Sequence, residues 1–195
     1  MTTNPPSLHQ LRLHQLAEYM RESEQILADW DLYSDLHSDS DGWPVDDVTY
    51  GLRQRQRDTD TWRAFRQLLN DGHHLLDGAQ AQLAQIPAEE RTRGWAHSLA
   101  TLRDSLGKMR ALQSEWTGIR EALPENARPG TESFDEPLAE RNAEGWHYLD
   151  TWAIQGQTLL DIAAAAEQAT PPAARPAAAP SLDSPPAPHR PPRRR

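Results

Sequence analysis

Apolar residues recur along this chain in alternating steps of three and four, the spacing that places side chains on one face of an α-helix. The longest run is Trp62, Phe65, Leu69, Gly72, Leu76, Ala79, Leu83 and Ile86, widened on one flank by Leu68 and Leu75. An earlier run takes Leu13, Leu16, Met20, Ser23, Leu27 and Trp30. A third takes Trp95, Leu99, Leu102, Leu106, Met109, Gln113 and Trp116, broadened by Leu112 and Ile119. The last is Gly145, Leu149, Trp152, Gly156, Leu159, Ala163 and Ala166, flanked by Ala153 and Leu160. No stretch alternates β-branched and polar residues with a period of two, so no sheet is expected.

Breakers and caps set the limits of these helices. They are expected at about 7–36, 45–86, 87–123 and 134–168, with a kink near Asp58 and Asp60 as an alternative for the second. Pro87 suits a first helical position, with Glu89 and Glu90 in the turn that follows. Pro124 stops the third helix, and Ser133 with Glu136 matches a capping box for the fourth. Four heptad seams joined by moderate linkers predict an all-α fold, an antiparallel up-down four-helix bundle over residues 7–169. Residues 1–6 read as a flexible N-terminus. Residues 170–195, rich in Pro, Ala and Arg with little to bury, read as a disordered tail of polyproline II character.

Five tryptophans (30, 62, 95, 116 and 152) fall on the seams and read as core. Trp30, Trp62, Phe65 and Trp116 are expected to gather at one end of the bundle. Gly72, Gly145 and Gly156 would make room for large rings, since a glycine inside a helix costs about 1 kcal/mol and calls for a packing reason.

Composition narrows the class. The chain has 195 residues, 37% hydrophobic and 25% charged, enough for one domain with a core. It has no cysteine. That excludes disulfides, thiolate zinc sites and cysteine catalysis, and fits a reducing, cytoplasmic setting. The N-terminus lacks the basic start and apolar run of a secretory signal, and nothing approaches the roughly 20 apolar residues of a membrane span, so no membrane partner is expected. Lys108 is the only lysine, and Ala, Asp and Pro are abundant, which suggests a GC-rich bacterial genome. Net charge is −9; the tail carries five arginines against Asp183, which leaves −13 on the rest. Such a body repels nucleic acid over most of its surface.

Several constellations invite a chemical reading. Asp71 precedes His74 by three residues, as Glu144 precedes His147, and Glu24 and Glu115 stand at similar height. This order is similar to the ligand scheme of ferritin-like di-iron bundles. The heptad phase opposes it, because Asp71, His74, Glu144 and His147 all fall at outward positions when the leucines and tryptophans face the core. No cofactor is therefore expected. His14, His73 and His97 flank their seams and are the remaining metal candidates. His37 to Val48 contains Asp39-Ser40-Asp41-Gly42, yet the first and twelfth positions of an EF-hand would be His37 and Val48, which is no calcium loop. Trp116-Thr117-Gly118 spells the Trp-x-Gly that small secreted helical hairpins carry in their turn; here it falls inside a helix and assigns nothing. Arg53, Arg55, Arg57, Arg63 and Arg66 form the one basic cluster of the body, expected to pair with acids on neighbouring helices. There is no nucleophile elbow, phosphate loop or dinucleotide turn.

The sequence thus favours a non-enzymatic interaction or regulatory bundle, its partner another protein or a second copy. The partner-binding candidates are Asp39, Asp41, Asp46 and Asp47 in a stretch, Asp29 to Asp47, that holds seven aspartates and no lysine or arginine. Arg193, Arg194 and Arg195 in the tail are the others. A metal-dependent or small-molecule-binding bundle is the first alternative. An accessory factor in nucleic-acid transactions, acting through the basic tail, is the second.

Overall fold

A computed structural model describes residues 7–169. The expectations for residues 1–6 and for the tail 170–195, with Arg193, Arg194 and Arg195, lie outside the described residues. The described chain is an all-helical, antiparallel up-down bundle: α1 (Leu8–His37), α2 (Asp47–Gln85), α3 (Trp95–Ala122), and a fourth rod made of α4 (Glu132–Gln155) and α5 (Gln157–Ala169) that meet at Gly156. No helix among the described residues is long and apolar enough to cross a membrane.

The ends of the helices follow local hydrogen bonding. Ser7 and Gln10 form a reciprocal capping box at the start of α1. Asp46 caps α2, its carboxylate accepting from the backbone N–H of Val48 and Thr49. α2 then runs as one unbroken helix through Asp58 and Asp60 to Gln85. Two boundaries differ from expectation. Pro87 opens only a short 3-10 turn (Ala88–Glu90), and α3 begins at Trp95, after Gly94 at φ 107°. Arg91 explains the detour: its guanidinium donates to the carbonyls of Ile86 (2.8 Å) and Ala84 (3.2 Å), satisfying the end of α2. The capping box at Ser133 and Glu136 also does not form. α4 starts two residues earlier, after Thr131, and the Asp135 carboxylate instead accepts from Gly130 N–H at 3.1 Å.

α2 is the centre of the cross-section. It packs on α1, α3, α4 and α5, whereas α1 and α3 lie at opposite corners. Most seam leucines bury: Leu16, Leu99, Leu102, Leu149 and Leu159 have no exposed surface, nor has Leu75 on the flank, whereas Leu13, Leu27 and Leu69 are half-buried. Tyr19, off the predicted seam, is also buried, and its hydroxyl donates to the Leu149 carbonyl at 2.7 Å. Burial pushes that phenol far above its ordinary range.

The expected single aromatic cap is instead three groups. Trp30 contacts Tyr33 and Tyr50 at the α1–α2 end. Phe65 meets Tyr19 and Trp152 edge-on in the centre. Trp116 meets Phe134 on the far side. The reason is the cross-section, which puts Trp30 on α1 and Trp116 on α3 at corners that do not meet. The seam glycines act as expected at two of three positions. Gly72 lies under Leu106 and Trp152, and Gly145 lies under the Trp62 indole. Gly156 instead receives the aliphatic ends of Leu16 and Met20.

Candidate functional site

The metal candidates are placed apart. His14 is exposed and faces Glu18 at 3.3 Å. His97 is exposed on α3. His73 is half-buried on α2, where Arg110 reaches its Nδ1 at 2.9 Å. The same Nδ1 also lies 3.1 Å from the Asn70 carbonyl, so the ring is held against its own helix rather than offered to an ion. His74, Glu144, His147, Glu24 and Glu115 are exposed, and Asp71 faces Arg12 at 3.7 Å. Among the described residues no group of three or more metal-ligating side chains could hold an ion.

The arginines of α2 find most of their partners within α2 and among aromatic rings, not on acids of neighbouring helices. Arg57 donates twice to Asp58, at 2.9 and 2.7 Å, and lies over Trp30 (4.6 Å) and Trp146 (3.9 Å). Arg63 pairs with Asp60 at 2.7 Å, and Arg53 lies over Tyr33 at 5.8 Å. Aromatic faces on α1 and α4 thus take the place expected for carboxylates.

Asp58 is buried at this junction, and burial raises its carboxyl above the ordinary range, against the opposing hydrogen bonds and charge of Arg57. The folded state therefore holds this proton more tightly than the unfolded chain. Its contribution is fullest below the unfolded carboxylate value and is lost as pH rises through the raised one. Asp58→Asn, which keeps an oxygen for Arg57, is expected to melt higher than the parent at about pH 7, with the gain shrinking towards about pH 4. Thermal unfolding across that range checks it; a gain independent of pH contradicts the burial argument.

Two features of the surface stand out. The first is the α1–α2 hairpin tip. Asp39 organises its loop, accepting from the N–H groups of Asp41 and Trp43, both at 2.9 Å. The Asp39 N–H donates to the Trp43 carbonyl (2.8 Å), and the Val45 N–H to the His37 carbonyl (2.9 Å). Gly42 takes φ 82°, which the turn needs and other residues rarely adopt. This bonded loop holds Trp43 in solvent at 71% exposure. Leu32, Leu36, Val45, Val48 and Leu52 on the flanking segments are also exposed, so six of the ten large exposed apolar residues among the described residues lie between positions 32 and 52. Of the predicted aspartates, Asp39 and Asp46 hold the loop and the α2 cap, whereas the carboxylates of Asp41 and Asp47 are exposed with no partner among the described residues. Hydrogen bonds from Thr49 and the α2 backbone keep the Asp46 carboxyl below its ordinary range.

The second feature is a cleft of about 460 Å³ between α2, α3 and α4, open to solvent on one side. Its walls include Trp62, Arg63, Arg66, Gln113 and Arg141, with Leu69 and Leu138 as apolar surface. Arg141 lies over Trp62 at 3.5 Å and donates to the side-chain oxygens of Asn142 (2.8 Å) and Gln113. Neither Gln113 nor Arg141 was singled out chemically by sequence reasoning. The available signal was Gln113 itself, a polar residue in the α3 seam between Met109 and Trp116.

Comparison of the chain with known protein families, with curated proteins and with solved structures gives no match.

Proposed function

We propose that this protein is a non-enzymatic interaction module whose docking surface is the α1–α2 hairpin tip, and that its partner is a basic amphipathic segment of another protein. The observation that carries the reading is Trp43, held in solvent by a hydrogen-bonded loop that leaves it no packing role. A disordered surface tryptophan would be unremarkable. One fixed by its loop, in the same hairpin as the exposed Val45, Val48 and Leu52, is the kind of apolar surface that marks interaction sites. Charge selects the partner: the stretch from Asp29 to Asp47 has seven aspartates and no lysine or arginine. An apolar centre with an acidic surround fits a segment that carries apolar residues every three or four positions and lysine or arginine between them.

The test is a photo-crosslinking amino acid at position 43 of the full chain, expressed in its source organism. The captured protein is then purified and titrated against the parent chain and against Trp43→Ala with Leu52→Ala. The reading expects a basic amphipathic segment at the crosslink, affinity that falls with salt, and at least about a tenfold loss in the double variant. Crosslinks confined to this chain's own tail or to a second copy overturn it, as does an affinity unchanged by the two substitutions.

A further inference from the structure

We propose that the cleft between α2, α3 and α4 is a binding site for a small phosphorylated ligand, its oxyanion held by Arg141, Arg66 and Gln113 and its apolar body laid against Leu69 and Leu138. The proposal is independent of the hairpin tip and rests on the charges in the cleft.

Arg141 is half-buried, yet no carboxylate among the described residues comes within bridging distance of it. Its two terminal nitrogens are engaged by the neutral oxygens of Asn142 and Gln113, and its Nε is buried with no partner at all. Removing an ion from water without an opposite charge is unfavourable, and burial lowers this guanidinium to about 10. Stacking on Trp62 offsets only part of that.

The surroundings are arranged as donors. Gln113 must turn its oxygen to Arg141, because arginine cannot accept, so the Gln113 NH₂ is left without a partner. Asn142 likewise gives its oxygen to Arg141, while its NH₂ donates to Thr59 at 3.1 Å. Arg66 has no ion-pair partner among the described residues, unlike Arg63, which pairs with Asp60. No aspartate or glutamate lines the cleft.

The ligand class follows from this set. Two guanidiniums without counter-charge match one dianion, and three donor groups on α2, α3 and α4 suit the three terminal oxygens of a phosphomonoester better than the two of a carboxylate. The cleft volume is in the range of small-molecule sites, and the half-buried Leu69 and Leu138 offer apolar area for an organic body. An extended nucleic acid is disfavoured by the net −9 of the chain.

The test uses the full chain at constant ionic strength, titrated with phenyl phosphate and, as a monoanion with the same ring, benzoate. Binding is read by calorimetry and by the indole N–H resonance of Trp62, assigned with Trp62→Phe. The expected result is saturable binding of phenyl phosphate with Kd below about 1 mM and a shift of the Trp62 resonance. Arg66→Gln, at an exposed position, should weaken it about tenfold or more without lowering Tm. Arg141→Lys should also weaken it, and if that variant does not fold, Arg66→Gln alone decides. Benzoate binding as tightly as phenyl phosphate overturns the dianion assignment. Absence of saturable binding, or binding unchanged in Arg66→Gln, overturns the site.

Discussion

Truncation of Trp152 to alanine is expected to lower the unfolding free energy by about 3–5 kcal/mol, the largest effect of any single side chain in the bundle. Trp152 has no exposed surface. Its ring meets Phe65 edge-on at 5.3 Å, lies over Gly72, and donates through Nε1 to the Leu102 carbonyl at 3.1 Å. One residue thus ties α4 to α2 and α3 together. Alanine leaves a cavity at the junction of three helices and removes the hydrogen bond to Leu102. For a domain of this size the melting temperature should fall by roughly 6–20 °C. Urea and thermal unfolding followed by circular dichroism measure it. Trp43→Ala is the internal control: the same residue type, 71% exposed, should change stability by less than about 0.5 kcal/mol. Comparable losses for the two variants would contradict the packing described above.

Gly145→Ala is the second large effect, and it runs against helix propensity. In an exposed helix, alanine for glycine gains about 1 kcal/mol. At Gly145 the new methyl would overlap the Trp62 indole at Cζ2, Cε2 and Nε1. That ring cannot simply slide away, since Nε1 donates to the Asn142 carbonyl at 3.2 Å and Arg141 covers its face at 3.5 Å. Overpacking of a rigid ring costs about 1–3 kcal/mol, and a methyl this close to the indole falls at the upper end, so after the propensity gain the net effect is a loss of roughly 2 kcal/mol. Gly107→Ala provides the opposite sign. Gly107 is exposed in the middle of α3 with nothing within 4 Å of a new methyl, so about 0.5–1 kcal/mol of stabilisation is expected. Equal signs at the two positions, read from chemical denaturation, would refute the Trp62–Gly145 contact.

These two glycines show what could be read from the chain. The seam periodicity singles out Gly145 as a place where a large ring approaches, and it does so because a heptad phase assigns each position to the core or to solvent. It does not say which ring. Trp62 reaches Gly145 because α2 and α4 lie together through the middle of the bundle, an arrangement that four equivalent seams do not specify. The same geometry split the predicted aromatic cap, since Trp30 and Trp116 are at one height but on helices that do not meet.

The surface was less legible for a related reason. The arginines of α2 were expected to find carboxylates across helix boundaries, but Arg57 lies between Trp30 and Trp146, contacts that no spacing within α2 reveals. Arg141 belonged to no basic cluster in the sequence. Its isolation from carboxylates, on which the cleft depends, becomes visible only when α2, α3 and α4 are brought together. At the hairpin tip the aspartates drew attention by number alone. The structure divides them: all four are exposed, but only the carboxylates of Asp39 and Asp46 accept from backbone N–H groups among the described residues.

The sequence by itself determined the helices, their count and the face each turns inward, because periodic burial of apolar surface is a local property repeated every three or four residues. The outward placement of Asp71, His74, Glu144 and His147 followed from the same phase. Only the tertiary structure decided which helices touch, which glycine receives which ring, and where a guanidinium is enclosed without an opposite charge. Those outcomes depend on distances between residues far apart in the chain, and a repeating pattern shared by all four seams carries no information about them.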